Sequence, residues 1–310
     1  MRRFLTWRFL TWRILTWRIL IRLVIVGLIA LLAGLYVTRP RTFGADALAG
    51  LVADATRGEQ VFWAGGCASC HADPKATGAA QLLLQGGRRL DSPFGSFVVP
   101  NISPSDQGIA GWTALDLANA MHYGTSPGGS HYFPAFPYGS YVKATLQDIV
   151  DLKAYLDSLP PSDRATEPHE VGFPFNIRLS LGGWKLLFFS DAFVVTGDLT
   201  SEETRGRYLA EALGHCGECH TPRNAFGGWD RSRWLAGAAN PSGKGTIPNI
   251  TPAKLTWSNA ELVEYFTSGF TPEFDSAGGH MAYVVENLSK LPESDRAAIA
   301  AYLKRVAPVE

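Results

Sequence analysis

One uncharged apolar run near the N-terminus predicts a single membrane-spanning helix. Residues 23–38 carry no charge over 16 positions; at ~1.5 Å per residue this is about 24 Å of helix. Residues 19–21, with Arg22 reaching toward the headgroups, extend the run to roughly the 20 residues that a span requires. Residues 1–38 hold six arginines and no acid, all arginines preceding the run. We therefore expect a cytoplasmic N-terminus, a bacterial inner-membrane location and a periplasmic body. The alternative is a signal peptide cleaved near Ala45-Asp46-Ala47.

A five-residue unit repeats through residues 3–22 ahead of this run. Its units begin at Arg3, Arg8, Arg13 and Arg18, and the first three end in Thr-Trp. A period of five advances about 140° per unit on a helix, so the arginines spread around it and form no single polar face. The repeat predicts basic charge and interfacial tryptophan, and no further function.

Downstream, predicted helices alternate with Gly- and Pro-rich loops, which indicates an all-α fold. The first part has predicted helices at residues 53–65, 113–122 and 145–159, the last stopped by Pro160-Pro161. The second part repeats its landmarks in order: Thr56-Arg57-Gly58 as Thr204-Arg205-Gly206, Val99-Pro100-Asn101-Ile102 as Ile247-Pro248-Asn249-Ile250, Trp112 as Trp257, and Ala154-Tyr155-Leu156 as Ala301-Tyr302-Leu303. We predict a basic segment and anchor at 1–41, tandem helical domains at 42–160 and 200–310, and a linker at 161–199.

Charge is divided unevenly along a chain whose formal net charge is zero. Without the six N-terminal arginines, residues 39–310 carry 22 basic and 28 acidic side chains, a net charge of −6. A mildly acidic body argues against nucleic acid as a partner. It suits a soluble electron-transfer domain that meets a basic partner.

All four cysteines fall in two motifs that carry the candidate chemistry. Cys67-Ala68-Ser69-Cys70-His71 and Cys216-Gly217-Glu218-Cys219-His220 both read C-x-x-C-H, the attachment signal for c-type haem. One short turn presents two thiols to the haem vinyl groups and a histidine to the iron as fifth ligand. About 150 residues separate the pairs, too far for one structural zinc site, and a thioredoxin-like pair leaves both histidines unexplained. We predict two covalently attached haem c groups, tandem cytochrome c-like domains and iron ligation by His71 and His220.

Several motifs together resemble one family. They are Val99-Pro100-Asn101-Ile102-Ser103-Pro104 followed by Trp112, Pro134-Ala135-Phe136-Pro137-Tyr138, and the Ala-Tyr-Leu of each last helix. They are similar to the multihaem cytochrome c subunits of membrane-bound bacterial alcohol, aldehyde and gluconate dehydrogenases. The resemblance covers roughly residues 50–308 and includes the aromatic stretch at 173–189. Those subunits usually carry three haems, whereas this chain has motifs for two.

The resemblance implies a role and some contacts of the haems. It implies electron transfer from a periplasmic dehydrogenase subunit or a soluble donor toward quinone, a cytochrome or an oxidase. It also implies that the carbonyls of Pro100 and Pro248 accept a hydrogen bond from the proximal histidines. Arg88, Arg89 and Arg223 are candidate propionate partners, with a solvated surface position as the alternative.

The second haem has a clear candidate for its sixth ligand. Met281, within Gly278-Gly279-His280-Met281, falls between the predicted central and terminal helices. A thioether there would reach the open face of the iron and raise its potential. The resembling family also has methionine in this stretch. The alternatives are His280 as ligand, or Met281 as a core side chain.

The first haem departs from this pattern. Where the family typically has methionine, this chain has Phe136, which cannot bind iron. Aligning Gly128-Gly129 with Gly278-Gly279 puts His131 opposite Met281, so His131 is the candidate ligand. A surface or propionate-bonded role for His131 is its alternative. Other candidates for the position are His122, Met121, Tyr132 or an open sixth site.

Two classes of function follow. The first is a membrane-anchored dihaem c-type cytochrome of a respiratory chain that passes electrons from a donor to an acceptor. The sequence holds no catalytic triad, phosphate loop or flavin fingerprint, which favours this class. The second is a dihaem enzyme whose open first haem reduces peroxide or oxidises a small sulfur compound, a hypothesis that rests on the missing methionine.

Overall fold

The computed structural model describes residues 2–241, 243 and 245–310, and in its first helix the side chains of residue 12 and of residues 16 onward. Helix α1 (Arg2–Val37) is continuous over 36 residues. Its 22-residue stretch Thr16–Val37 is long and apolar enough to cross a membrane, the one such helix among the described residues. It measures about 33 Å against a hydrocarbon core of about 30 Å. The side chains of Arg3, Arg8 and Arg13 lie outside the described residues.

A first group of helices follows the apolar helix and agrees closely with the predicted ones. It comprises α2 (Ala55–Ala64), α3 (Cys67–His71), α4 (Ala114–Tyr123), α5 (Tyr138–Tyr141) and α6 (Leu146–Asp157). The caps explain the boundaries: side chains of Asp54, Thr113 and Thr145 accept hydrogen bonds from the first backbone N–H groups of α2, α4 and α6.

A second group repeats this order after the connecting segment. The connecting segment holds α7 (Ser180–Phe188), and the second group comprises α8 (Ser201–Arg207), a π-helical turn (Tyr208–Leu213), α9 (Gly217–His220), α10 (Asn259–Ser268), α11 (His280–Leu288) and α12 (Glu293–Arg305). The largest buried cluster draws on both groups, from Phe62 and Leu156 to Leu213 and Tyr302. The two groups therefore share one continuous apolar interior.

Each group is built on a close crossing of its first and last helices. A side-chain carbon at Gly58 of α2 would overlap the Asp151 carbonyl and lie 2.9 Å from the Cβ of Tyr155. Gly206 of α8 meets the Ala298 carbonyl and the Tyr302 Cβ, at 2.8 Å, in the same way. The repeated Thr-Arg-Gly and Ala-Tyr-Leu triplets are thus the two sides of one packing contact, which only glycine permits.

The expectation of an all-α fold needs one correction. Within the part of the chain that the structure describes, five short strands occur in regions predicted to be loops: β1 (Arg89–Ser92), β2 (Gly95–Val98), β3 (Glu170–Val171), β4 (Ala238–Ala239) and β5 (Thr246–Ile247). The first three form an antiparallel sheet in the order β1-β2-β3, and β4 pairs with β5. They were missed because each has at most four residues, too few for a period-two pattern to stand out.

Candidate functional site

The two C-x-x-C-H motifs fold alike and orient their histidines alike. His71 ends α3 and His220 ends α9. The Nδ1 of His71 lies 2.8 Å from the carbonyl oxygen of Pro100, and that of His220 lies 2.8 Å from the carbonyl oxygen of Pro248. A carbonyl only accepts, so Nδ1 carries the proton and Nε2 is the nitrogen with a lone pair for a metal. The expected contacts of both prolines are present.

A glycine with positive φ holds each proline in place. Gly86 (φ 68°) and Gly237 (φ 83°) lie against the backbone of Pro100 and Pro248. Their N–H groups donate to the carbonyls of His71 and His220, at 2.8 and 2.7 Å. The left-handed conformation and the close approach both exclude a larger residue. Histidine, glycine and proline thus form one local unit that occurs twice.

Burial keeps the reactive groups of both motifs neutral. It raises the pKa of Cys67 and Cys216 to about 12 and that of Cys219 to about 11, with further raising contributions from Glu218 and Cys70. Burial lowers the pKa of His71 to about 4, against the opposing hydrogen bond to Pro100. A neutral imidazole is the form that binds metal, and a protonated thiol is the form that adds across a vinyl group.

Two buried donors fit the carboxylates that a haem carries. Arg88 is only 9% exposed, stacks 4.4 Å from the Tyr283 ring, and has no protein acceptor for its Nε. The Nε1 atom of Trp229 is also buried without a partner, and its ring packs on Trp234, which covers Gly217 of the second motif. Haem propionates would supply the missing acceptors.

The three arginines predicted to pair with haem propionates differ in their surroundings. Arg88 is buried rather than solvated, and its charge lowers the pKa of Cys70 against a larger raising effect of burial. Arg89 instead pairs with Glu170, at 2.6 Å, and Arg223 pairs with Glu218. Among the described residues, no three His, Cys, Asp or Glu side chains converge to hold a bare metal ion. The donor set fits a haem at each motif.

The segments that follow α4 and α10 correspond at a constant offset of 145 residues. Both helices begin in capping boxes, at Thr113 and Ser258, and end at a left-handed glycine, Gly124 and Gly269. Each is followed by an isolated bridge of the same span, Thr125↔His131 and Phe270↔Ser276. The expected equivalence of His131 and Met281 is therefore wrong. His131 corresponds to Ser276, and Phe136 corresponds to Met281, because the two Gly-Gly pairs lie at different points of their loops.

His131 is engaged elsewhere by both ring nitrogens. Its Nε2 lies 2.9 Å from the carbonyl oxygen of Thr38, and its Nδ1 lies 3.0 Å from Nζ of Lys185. Burial and the charge of Lys185 lower the pKa of His131, so the neutral ring donates through Nε2 and accepts through Nδ1. Both ring nitrogens of His131 therefore have hydrogen-bond partners in this structure, and its role as an iron ligand stays a prediction.

The other candidates for the sixth position of the first haem differ in what surrounds them. Phe136 packs its ring against Tyr132 and Tyr141. His122 is buried, and its Nε2 has no hydrogen-bond partner. In the second group, Met281 is half-buried against the shared core at the start of α11. His280, its neighbour, instead points Nδ1 at Arg88, 3.4 Å away.

In each group, the helix just before the last one packs on the attachment motif of the other group. Ser69, in the first motif, accepts a 2.6 Å hydrogen bond from Asn287 of α11 and donates to the Tyr283 carbonyl at 3.3 Å. Glu218, at the equivalent place in the second motif, meets Ser140 of α5 at 3.5 Å. The Tyr141 hydroxyl donates to the Gly65 carbonyl beside the first motif, at 3.1 Å, and its ring contacts His215 beside the second. The two motifs are therefore neighbours.

This reciprocal packing has no signature in the attachment motifs. Ser69 and Glu218 occupy a position that C-x-x-C-H leaves free, so the motif itself carries no signal for them. Asn287 lies in a helix that the repeat comparison left unmatched.

Comparison with known proteins agrees with this geometry. The family model of cytochrome c matches residues 55–160. A protein described as "Diheme cytochrome c-type" from Cereibacter sphaeroides is 63% identical over 284 residues, which are 91% of this chain and 96% of that protein. The resemblance to dehydrogenase cytochrome subunits is confirmed as well. The fructose dehydrogenase cytochrome subunit of Gluconobacter japonicus is 36% identical over 81% of this chain, and the gluconate 2-dehydrogenase cytochrome c subunit of Pantoea cypripedii is 30% identical over 80%.

The coverage of these relatives differs. The chain spans nearly the whole of the Cereibacter protein but only 52% and 58% of the two dehydrogenase subunits. The family of this chain is shown by the dihaem relative, which is 63% identical along nearly its whole length. The chain belongs to the dihaem c-type cytochromes, which are electron-transfer proteins, and it carries two covalently attached haem c groups.

Proposed function

We propose that the chain is a membrane-anchored cytochrome that passes electrons between its two haems on the way from a periplasmic donor to a respiratory acceptor. The reciprocal packing of the motifs carries this proposal. Ser69 contacts α11, Glu218 contacts α5, and Tyr141 bridges the residues that precede both motifs. Such packing would hold the two haems close together at a fixed distance, so that electrons could pass between them without diffusion of a carrier.

The two haems are unequal in this proposal. His71 and His220 serve as fifth ligands, and Met281 gives the second haem a thioether as its sixth. The first haem has no thioether, since Phe136 stands at the equivalent position. Histidine–methionine ligation raises the potential of a haem, so electrons would run from the first haem to the second. A bound haem supplies the one-electron chemistry, while the chain sets the ligands, the propionate partners and the spacing.

The domain boundaries and the anchor belong to the same proposal. We assign residues 42–160 and 200–310 to the two haem domains, 161–199 to the connection, and 1–41 to an uncleaved segment with its N-terminus in the cytoplasm. The contact between the Thr38 carbonyl and His131 supports retention of the helix. Cleavage near Ala45 would remove Thr38 and leave the Nε2 proton of His131 without its acceptor.

The donor in this proposal is a dehydrogenase. Two relatives are named as cytochrome subunits of fructose and gluconate dehydrogenases, and the present chain would serve an analogous catalytic subunit in the periplasm. Its acceptor would be quinone, another cytochrome or an oxidase at the inner membrane. The acidic body suits a basic docking surface on the donor.

The proposal is tested by purifying the full chain from its native membrane together with whatever remains attached. Attached proteins are identified by mass spectrometry, and candidate dehydrogenase substrates are added under anaerobic conditions. We expect both haems to become reduced by a substrate of an attached dehydrogenase, and N-terminal sequencing to begin at Met1 or Arg2. Haems that stay oxidised with every attached donor would contradict the proposed role.

A second candidate function is favoured by one observation. Phe136 corresponds in position to Met281, and both ring nitrogens of His131 have hydrogen-bond partners, so the first haem would have an open sixth site unless His122 reaches it. An open haem binds small ligands, and a peroxidase-like reaction or oxidation of a sulfur compound would follow. A high-spin first haem that binds cyanide and turns over peroxide would favour this enzyme over the carrier.

A further inference from the structure

An uncovered apolar surface lies on the segment that connects the two helical groups. Its members are large side chains that face outward, with Phe173 82% and Leu187 76% exposed. We define the α7 apolar surface as Phe173, Phe175, Ile177, Leu179, Leu186 and Leu187, all exposed. Large apolar side chains exposed together along one segment are typical of contact with a protein or a membrane.

The helical phase of α7 separates this surface from the protein-facing side. Leu179 precedes the helix with helical backbone angles, and Leu186 and Leu187 follow it by seven and eight residues, on one face. Leu181 is buried on the opposite face, and Gly182, one turn before Leu186, is buried at the edge between the two faces. Helix α7 therefore presents exposed leucines on the side that faces away from the rest of the protein.

The charges of this segment turn inward. Residues 173–189 contain no acidic residue, and their two cations are Arg178 and Lys185. Arg178 donates to the His131 carbonyl at 2.8 Å and stacks on Phe133. The ammonium of Lys185 donates to the Gly124 carbonyl at 2.9 Å and to His131. The outward face is left without charge, unlike the polar rim of a protein interface.

The same segment touches the end of the candidate membrane helix. Gly182 packs against the backbone of Thr38 so closely that a side-chain carbon would overlap the Thr38 carbonyl. Thr38 directly follows Val37, the last residue of the candidate span. Next to it, Tyr36 is exposed, and the guanidinium of Arg39 stacks 4.2 Å from its ring. An exposed aromatic and a cation of this kind are typical of the headgroup region.

We infer that the α7 apolar surface lies in the outer boundary of the bilayer, so that the haem body is attached to the membrane by this surface as well as by α1. The inference rests on the proposal that Thr16–Val37 spans the membrane, because that span fixes the depth of Thr38 and hence of α7. Leu179, Leu186 and Leu187 insert beside the acyl chains, and Arg39 and Arg41 meet lipid phosphates. The body then has one orientation to the membrane and does not swing on a tether.

The test uses the full chain with both haems, in nanodiscs of phosphatidylethanolamine and phosphatidylglycerol without any other protein. The four native cysteines are bonded to haem, so a single introduced cysteine reports alone. Leu187→Cys probes the surface, Ile25→Cys marks the membrane span, and Phe274→Cys is the matched control, an apolar side chain that is 90% exposed far along the chain. Each thiol is allowed to react with a charged, water-soluble maleimide, and the rate is normalised to the denatured protein.

We expect the thiols at 25 and 187 to react roughly tenfold more slowly than the thiol at 274, because neither the thiolate nor the charged reagent enters the lipid boundary readily. Equal rates at 187 and 274, with a slow rate at 25, would overturn the inference and leave the anchor intact. Fast reaction at all three positions would remove the anchor proposal as well. Protection at 187 that appears only when a dehydrogenase is added would assign the surface to a protein partner and overturn the inference.

Discussion

The two attachment motifs are nearly identical in structure, whereas the segments that face them differ. His71 and His220 make the same 2.8 Å contact to a proline carbonyl, and Gly58 and Gly206 permit the same helix crossing. On the opposite side, Met281 in one group corresponds to Phe136 in the other. If Met281 is the sixth ligand, as proposed, the duplicated scaffold keeps the parts that attach a haem and varies the residue that tunes its potential.

The surroundings of the two groups differ as well. The first group contacts the residues that follow α1. The Thr38 carbonyl accepts a hydrogen bond from His131, and the backbone N–H of Phe43 donates to the Asn119 side chain at 2.7 Å. The second group has no such contact with α1 among the described residues. His131, the predicted ligand, is part of this junction through its hydrogen bond to Thr38.

Removal of one attachment motif at a time should have the largest effect on the similarity of the two groups. Replacing Cys67 and Cys70 by serine, or Cys216 and Cys219 by serine, should each lower the intact mass by one haem, because both thioether bonds of that haem are lost. Only the second double variant should also lose the near-infrared sulfur-to-iron band of the oxidised protein. Ser69→Ala is the control inside a motif and should retain both haems. A wild-type mass with fewer than two haems would contradict the assignment.

Substitutions at the two corresponding positions, 136 and 281, test whether they set the difference between the haems. Met281→Ala should abolish the sulfur-to-iron band and lower the potential of the second haem, because the thioether is lost. Phe136→Met should roughly double the band and raise the potential of the first haem, because the two positions correspond. His131→Ala serves as the control and should leave the band and both spin states unchanged. A high-spin first haem in His131→Ala would restore His131 as a ligand.

Closing the helix crossings should affect both groups alike. Gly58→Ala and Gly206→Ala should each cost about 1–3 kcal/mol in the free energy of unfolding, because the new methyl group overlaps a carbonyl of the facing helix. Gly278→Ala is the matched control, since nothing lies within 4 Å of its side-chain position. Denaturant titration of the haem-loaded protein measures the difference. A loss confined to one of the two variants would show that the crossings are not equivalent.

The smallest expected effect concerns a carboxylate of the first crossing. Burial raises the pKa of Asp151, but hydrogen bonds from the Arg57 side chain, the Asp54 N–H and Gln147 outweigh it and hold the pKa below its usual value. A lowered pKa means that the carboxylate stabilises the fold above about pH 4 and that this contribution is lost as the pH falls through the folded-state pKa.

The pH dependence of Asp151→Asn isolates this contribution. Denaturation midpoints at pH 7 and pH 3 should differ less in Asp151→Asn than in the parent protein, because amide has no proton to gain. Glu310→Gln, at an exposed carboxylate 2.6 Å from Lys254, is the control and should follow the parent. An unchanged difference in Asp151→Asn would show that other groups dominate the acid loss.

Local sequence patterns were enough to predict haem attachment and the positions of the main helices. Haem attachment depends on residues within one turn, Cys67 to His71 and Cys216 to His220, so the motif contains the whole signal. The helices ending near Gly65, His122 and Leu159 could be predicted because their caps and breakers are local as well. The repeated Gly58 and Tyr155 also appeared in sequence, although their contact did not.

The three-dimensional structure was needed to show which loop residues of the two groups correspond and which distant residues contact each other. Glycine pairs at 128 and 278 look equivalent in sequence, but loop residues are counted from the helix that precedes them, and only Gly124 and Gly269 give the right origin. The bonds of Ser69 to α11 and of His131 to Thr38 join residues about 218 and 93 positions apart. Such contacts depend on how separate elements pack, which no local pattern of residues encodes.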